Sequence, residues 1–439
     1  MRLQTKNEGI RGLKVLALAA ALSAVAWGGA TQAQTAAASA PPPPAVAMLS
    51  ANDAPAVAPA HAVTLVEYLD LVRRGSLSLR ADQVRVQAAR ADLRTASALP
   101  NPSVSYTRKR GERESTIEQP LPIFGQRGLR MEGAQLGIDA AAAQADAAYS
   151  DASRDAAREF VALLVAQERH ARREAAQKDL DAAAAIVRGQ VEAGARSRYD
   201  LARIEVQQAQ MAMEVAKSQA ALDEAASKVA AAAALPQWQP RAVGSLQPAA
   251  QSTDFDALWA VAQDRLPAVR AALAEQAHAE KLVDVERREA LPTPSLSFGR
   301  LRNDDGRSNV VGVSVEIPLF DRREGAIAKA VAQREEAQLR REAALASAQS
   351  ELRRATSQLA QRRKLADRYA SHGLNRLADL KRMAQDAYQL GQGSVLELID
   401  SIDSVAEKQI GYLDLVEEVL QAELDVRSAA GDLTGRLLY

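Results

Sequence analysis

Hydrophobic and polar positions alternate with two different periods along the chain. From Val311 to Ile317 every second residue is apolar, which predicts a strand with one apolar face. Further along, apolar residues recur every three or four positions, which predicts a helix with a narrow apolar seam. The seam consists of Ile399, Ile402, Ala406, Leu413, Val416 and Leu420, with Gln409 as its one polar position.

The same order of segments occurs twice in the chain. The sequence LPNPSVSY at 99–106 returns as LPTPSLSF at 291–298, and GARSRYDL at 194–201 returns as GQGSVLEL at 391–398. Matches in one order at a nearly constant spacing indicate an internal duplication. We therefore predict a first repeat, a linker and a second repeat at 63–235, 236–253 and 254–439.

Each repeat is predicted to contain a helix, a β-hairpin, a very long helix without proline and a final helix. At 1.5 Å per residue the long helices reach about 100 Å, and the shorter ones about 50–60 Å. Two short helices stacked end to end therefore match one long helix, as in the wall of a tube. The predicted helices are 64–98, 126–192, 197–234, 254–290, 323–390 and 394–433, and the hairpins are 102–121 and 295–317.

Residues 1–33 have the pattern of a secretory signal peptide. Basic residues precede an apolar run from Val15 to Trp27, and small residues follow through Ala33. The alternative, a transmembrane anchor, is disfavoured because the run is too short to span the bilayer. Residues 34–62 are rich in proline and alanine, which predicts a flexible lead-in.

Composition excludes several classes of function. The chain has 55 basic and 55 acidic residues and no cysteine, so its overall charge does not favour nucleic acid as a partner and it has no Cys-based metal site. Its four histidines are scattered without ligand spacing, and nucleotide-binding and nucleophile motifs are absent. We therefore predict no enzyme activity, no catalytic or metal site and no cofactor. About a fifth of the residues are alanine, which suits closely packed helices.

The turns before the final helices have the most specific local pattern. In the first, Gly194 favours a helix end, while Ser197 and Asp200 are placed to cap the next helix. The second turn repeats this arrangement with Gly391, Ser394 and Glu397. These are either simply stable helix-hairpin turns or, as their repetition suggests, a shared tip that a partner binds.

The hairpins raise the question of a membrane. Two hairpins give four strands per chain, so closure into a barrel requires several chains, and three chains give twelve strands. The segments are shorter than the 9–11 residues expected of a spanning strand, which leaves a soluble β-ribbon cap as the alternative.

The duplicated order of these motifs resembles the TolC-type outer membrane efflux family. The sequence QPLPIFGQR at 119–127 is most similar to the heavy-metal cation branch of that family, of the CzcC and CusC type. The resemblance covers about residues 63–437. It implies a homotrimer with a twelve-stranded β-barrel in the outer membrane lipid and a long α-helical barrel through the periplasm. It also implies passive export with a periplasmic adaptor protein and an inner-membrane pump of the RND type.

The resemblance also implies roles for residues in the two turns. Tyr388 and Asp200 match a tyrosine and an aspartate that tie the periplasmic gate shut, and Glu397 and Asp400 match its acidic residues. Gly393 stands where the family has a basic residue, so one closing bond is expected to differ. The branch's N-terminal acyl anchor is not expected, because the chain has no cysteine. Adaptor docking is expected at Gly194, Ser197, Leu201, Gly391, Ser394 and Leu398.

Two functions follow from these patterns. The first is an outer-membrane exit channel, with heavy-metal cations as the favoured cargo. The second is a periplasmic coiled-coil adaptor or scaffold without a channel. The chain has no β-rich sequence beyond its two hairpins, which argues against the adaptor, since adaptors carry additional β domains.

Overall fold

The computed structural model describes residues 62–248, 252–304 and 306–432. The predicted signal peptide at 1–33 and all but the last residue of the predicted lead-in at 34–62 lie outside these ranges. The first repeat contains α1, α2, β1, β2, α3 and α4, which are Leu65–Gly75, Leu77–Ser97, Ser103–Lys109, Glu112–Pro120, Gln126–Glu192 and Arg198–Ala232. The second contains α5, α6, β3, β4, α7, α8 and α9, which are Phe255–Arg265, Pro267–Glu289, Pro294–Asn303, Gly306–Val315, Glu324–His372, Leu377–Gln389 and Val395–Ala429.

The first long helix, α3, has the bounds that the sequence predicts. Its 67 residues include many alanines and no proline, so nothing in the sequence interrupts the helical hydrogen bonds. Its length is about 100 Å. Near its middle Phe160 stacks on Tyr68 of α1, with ring centroids 5.5 Å apart, in an apolar core that also includes Leu413 and Leu424 of α9.

The second long helix is not continuous, contrary to the sequence prediction. It ends at His372, and a short 3-10 turn at Leu374–Arg376 separates α7 from α8. At Gly373 a Cβ atom would lie 2.9 Å from the carbonyl oxygen of Tyr369, so glycine allows a tighter turn than other residues. A search for proline alone misses this break.

The first helix of each repeat is also divided, where one helix was predicted. Ser76 and Leu266 both adopt extended ψ angles, 120° and 122°, which end α1 and α5. Pro267 accounts for the second break because a residue before proline avoids helical geometry. The first break has no proline.

The four strands form one antiparallel sheet in the order β1-β2-β3-β4. The central pair joins the two repeats, because β2 of the first pairs with β3 of the second. Both hairpin turns are tighter than predicted: Glu112 and Arg113 belong to β2, and Asn303 pairs with Gly306. Within the described ranges, no helix is long and apolar enough to cross a membrane.

Candidate functional site at the paired helix turns

The first turn joins α3 to α4 and is held by its own backbone. Gly194 has φ of 73°, a left-handed conformation that glycine adopts without strain. The amide of Ala195 donates to the carbonyl of Gln190 at 2.8 Å, which is the bond of a Schellman helix end. Ser197 Oγ accepts the Asp200 amide at 3.2 Å, and the Asp200 carboxylate accepts the Ser197 amide at 3.3 Å. This reciprocal capping box begins α4.

The second turn, between α8 and α9, repeats this geometry. Gly391 has φ of 75°, and the amide of Gln392 donates to the carbonyl of Ala387 at 2.9 Å. Ser394 Oγ accepts the Glu397 amide at 3.2 Å, while the Glu397 carboxylate accepts the Ser394 amide at 2.9 Å. Each cap contributes about 1 kcal/mol. Both turns are therefore shaped within the chain, without a partner.

A shared apolar cluster brings the two turns side by side. It joins Leu180 and Val187 of α3, Ile204 of α4 and Ile399 of α9. Leu398 belongs to the same cluster and is 2% exposed.

The two predicted docking leucines therefore do not form a free surface. Leu398 is buried, and Leu201 packs partly buried against the same cluster. Their apolar side chains pack into the shared cluster and so stabilise the turns. The other predicted docking residues, Gly194, Ser197, Gly391 and Ser394, are exposed.

Two exposed apolar residues in the turns were missed by the sequence analysis. Tyr199 is 68% exposed and Leu396 is 50% exposed. They occupy equivalent positions, each two residues after the capping serine. Alignment of the two repeats would have identified this pair, since Tyr199 and Leu396 are both large apolar residues at the start of a helix.

Tyr388 connects the two repeats, but not through the predicted aspartate. The side chain is 1% exposed, and its hydroxyl donates to Gln190 Oε1 at 2.9 Å. The Asp200 carboxylate instead accepts the Ser197 hydroxyl at 2.9 Å, as part of the capping box. The predicted bond between Tyr388 and Asp200 is therefore wrong for this conformation. Burial raises the pKa of Tyr388, while nearby Arg196 lowers it and Asp200 raises it further.

Arg196 is the second connection between the turns, and the sequence analysis missed it. Its guanidinium lies over the Tyr388 ring, 5.1 Å from the centroid, and Nη2 donates to the carbonyl of Gly393 at 3.0 Å. Because Ser197 corresponds to Ser394, Arg196 corresponds to Gly393. The basic residue expected in the second turn thus stands in the first turn and reaches across. Alignment of the repeats places Arg196 at this position, although it does not show the contact.

The predicted acidic residues differ in their surroundings. Glu397 is engaged in its capping box, whereas Asp400 is exposed and has no side-chain bond within the described ranges. One turn further, Gln207 of α4 donates to Asp403. Burial, followed by Glu407 and Asp400, raises the pKa of Asp403, and Arg173 and Gln207 lower it. Among the residues that the structure describes, no group of three or more His, Asp and Glu is arranged to hold a metal ion.

The chain is similar to known proteins in sequence and in fold. The family described as outer membrane efflux protein matches residues 258–432. The cobalt-zinc-cadmium resistance protein CzcC of Cupriavidus metallidurans is 28% identical over 380 residues, which cover 84% of this chain and 90% of CzcC. The nickel and cobalt resistance protein CnrC of the same organism is 30% identical, and the match covers 69% of this chain and 76% of CnrC.

A solved structure has the same fold. The CmeC outer membrane channel of Campylobacter jejuni superposes with a TM-score of 0.70 at 15% identity, over 84% of this chain and 85% of CmeC. The chain therefore belongs to the outer membrane efflux protein family, whose members are outer-membrane channels and not enzymes.

Proposed function

We propose that the protein is the outer-membrane exit channel of a tripartite efflux system and works as a homotrimer. The four-stranded sheet is the observation that carries this proposal. Its apolar side chains are exposed, as Val311 (66%) and Val313 (72%) show, and β1 and β4 are unpaired edges in the sheet order. Lipid covers such a face, and neighbouring chains cover such edges. Three chains supply twelve strands.

The paired turns are the proposed docking surface for a periplasmic adaptor. Ser197 and Ser394 are exposed there, together with the apolar side chains of Tyr199 and Leu396. Large apolar side chains amid exposed polar backbone suit a protein partner. In this proposal the inner-membrane pump supplies the energy, and the channel provides passive exit.

The same end of the molecule is the proposed gate. Tyr388 bonded to Gln190 and Arg196 bonded to Gly393 hold the two turns together in the closed state. In a trimer Glu397 and Asp400 contribute six carboxylates near one axis, which favours cations. Asp400 is the more available of the two, because Glu397 already accepts its cap bond.

We propose heavy-metal cations as the cargo. The support comes from the relatives, which are described as cobalt-zinc-cadmium and nickel-cobalt resistance proteins. The exposed carboxylates at the proposed gate fit cation passage.

The proposal has separate tests for channel and cargo. Outer membranes extracted with mild detergent are expected to yield a trimer that conducts ions in planar bilayers, and a soluble periplasmic monomer would refute the channel. Deletion of the gene is expected to lower tolerance to cobalt, zinc, cadmium or nickel, with recovery on re-expression. Unchanged metal tolerance together with lowered drug tolerance would refute the cargo but leave the channel intact.

A further inference from the structure

The register of the sheet divides its residues between two unlike faces. Directly paired residues share a face, and so do residues two apart along a strand. One face includes the apolar row Val104, Ile117, Phe298 and Val311. The other face is mostly polar, and there Ser314 donates to Glu118 at 2.9 Å.

The same face of the sheet also has a row made only of arginine. It lies four residues along each strand from the apolar row, on the side of the hairpin turns. These directly paired residues, here called the arginine row, are Arg108, Arg113, Arg302 and Arg307. All four are exposed. The row crosses the sheet over about 14 Å and lies about 13 Å from the apolar row.

The arginine row forms no ion pair with the described residues. Like charges directly opposite each other destabilise a sheet, so four in succession need anions to balance them. No ion pair or side-chain hydrogen bond forms to any of them within the described ranges. The nearby strand acids Glu112 and Glu114 belong to the polar face, because they alternate with Arg113. On this face of the sheet, the residues between the two rows are Tyr106, Ser115, Arg300 and Asn309.

We infer that the arginine row binds the phosphate groups of lipid headgroups in the leaflet nearest the hairpin turns. This inference rests on the proposed function, because the apolar row must lie in lipid for the arginine row to reach the headgroups. Guanidinium groups bind phosphate through paired hydrogen bonds and keep their charge at the membrane surface. A bound lipid places its chains along the apolar row and its phosphate at the arginines. A free phosphate ion binds only the arginines and makes no contact with the apolar row.

Lipid retention by the purified trimer tests this inference. The protein is reconstituted into phosphatidylcholine vesicles that contain a minor fraction of diphosphoryl lipid A. It is then re-extracted with detergent, and mass spectrometry measures the amount of lipid A bound per trimer. We expect the wild type to enrich lipid A about tenfold over the bulk mixture at low salt and to lose most of that enrichment at high salt.

Two matched variants isolate the arginine row. The variant R108Q/R113Q/R302Q/R307Q is expected to retain lipid A only at the bulk ratio. A control removes four exposed helical arginines that form no side-chain bond within the described ranges, and it is expected to match the wild type. The control is R90Q/R94Q/R334Q/R368Q.

Several results would overturn the inference. If the wild type retains lipid A only at the bulk ratio, the inference is refuted whether or not the glutamine variant folds. Full retention of lipid A by a folded glutamine variant refutes it as well. Release of lipid A by inorganic phosphate as readily as by soluble lipid A would show an anion site without a lipid preference. Trimer formation and conductance are measured on the same preparation. A conducting trimer without enrichment refutes only this inference, whereas a protein that neither assembles nor conducts refutes the proposed channel.

Discussion

Replacement of Arg196 by alanine tests whether this residue holds the two turns together. The change removes the guanidinium from the Tyr388 ring and from the Gly393 carbonyl, where it lies 5.1 Å from the centroid and 3.0 Å from the oxygen. The capping boxes that shape each turn remain. We therefore expect the turns to separate more easily while the fold persists.

The magnitude follows from the two contacts. A partly exposed cation–π contact contributes about 0.5–1 kcal/mol, and a hydrogen bond to a charged group contributes about 1.5–3 kcal/mol. Because Arg196 is only half-buried, we take about 1–2 kcal/mol per chain. If three chains open together, the open-to-closed ratio rises roughly 100-fold to 10,000-fold, since 1.4 kcal/mol is a factor of ten.

Single-channel recording in planar bilayers measures that ratio, and sensitivity of cells to a large antibiotic reports the same leak. Arg198→Ala is the matched control, because Arg198 lies two residues away and is exposed without a side-chain bond among the described residues. Tyr388→Phe loses only its hydroxyl bond, worth about 1 kcal/mol, and is expected to have a smaller effect. Equal open probability in folded Arg196→Ala and Arg198→Ala channels would refute the reasoning.

Three further predictions concern the acids and the helix break. Asp400→Asn is expected to weaken block by divalent cations several-fold in bilayer recordings, because it removes an exposed carboxylate from the proposed gate; an unchanged blocking concentration would contradict this. Gly373→Ala is expected to lower the free energy of unfolding by about 1–3 kcal/mol in denaturant titrations, since its Cβ meets a backbone carbonyl at 2.9 Å. Its control is Gly411→Ala, which lies in open space within a helix and is expected to raise the free energy of unfolding by about 0.5–1 kcal/mol. Burial and then Asp155 raise the pKa of Glu159 in the folded state. Between the ordinary pKa of glutamate and this raised pKa, the folded chain binds more protons than the unfolded chain. The free energy of unfolding therefore falls as the pH rises through that interval. Glu159→Gln is expected to remove this part of the pH dependence, and an unchanged slope would exclude Glu159 as its source.

The regular parts of this fold follow from the sequence. α3 begins at Gln126 and ends at Glu192 as predicted, because Gly125 and Gly194 flank a run without a strong helix breaker. The capping residues Ser197 and Ser394 also follow from spacing, since a capping box depends on residues only three positions apart.

Features that depend on close packing do not follow from local pattern. The helix breaks after His372, where Gly373 lies close to the Tyr369 carbonyl of the preceding turn. The type of residue at 373 does not by itself predict this close approach. The sequence offers both Gln190 and Asp200 as partners for Tyr388. The packed structure shows that Gln190 is the partner, while Asp200 accepts the Ser197 hydroxyl. The position of Arg196 is contained in the duplication, but its contact with Gly393 requires the helices to be packed.

The pairing of β2 with β3 has a consequence for the chain before assembly. It joins the two repeats within one molecule, so that among the described strands β1 and β4 are the two open edges. A single chain then presents two unsatisfied strand edges beside an exposed apolar surface, the combination that promotes aggregation in water. In the proposed trimer this exposure is greatest before the chains assemble, so binding by a chaperone or rapid assembly is expected to lower aggregation of the single chain.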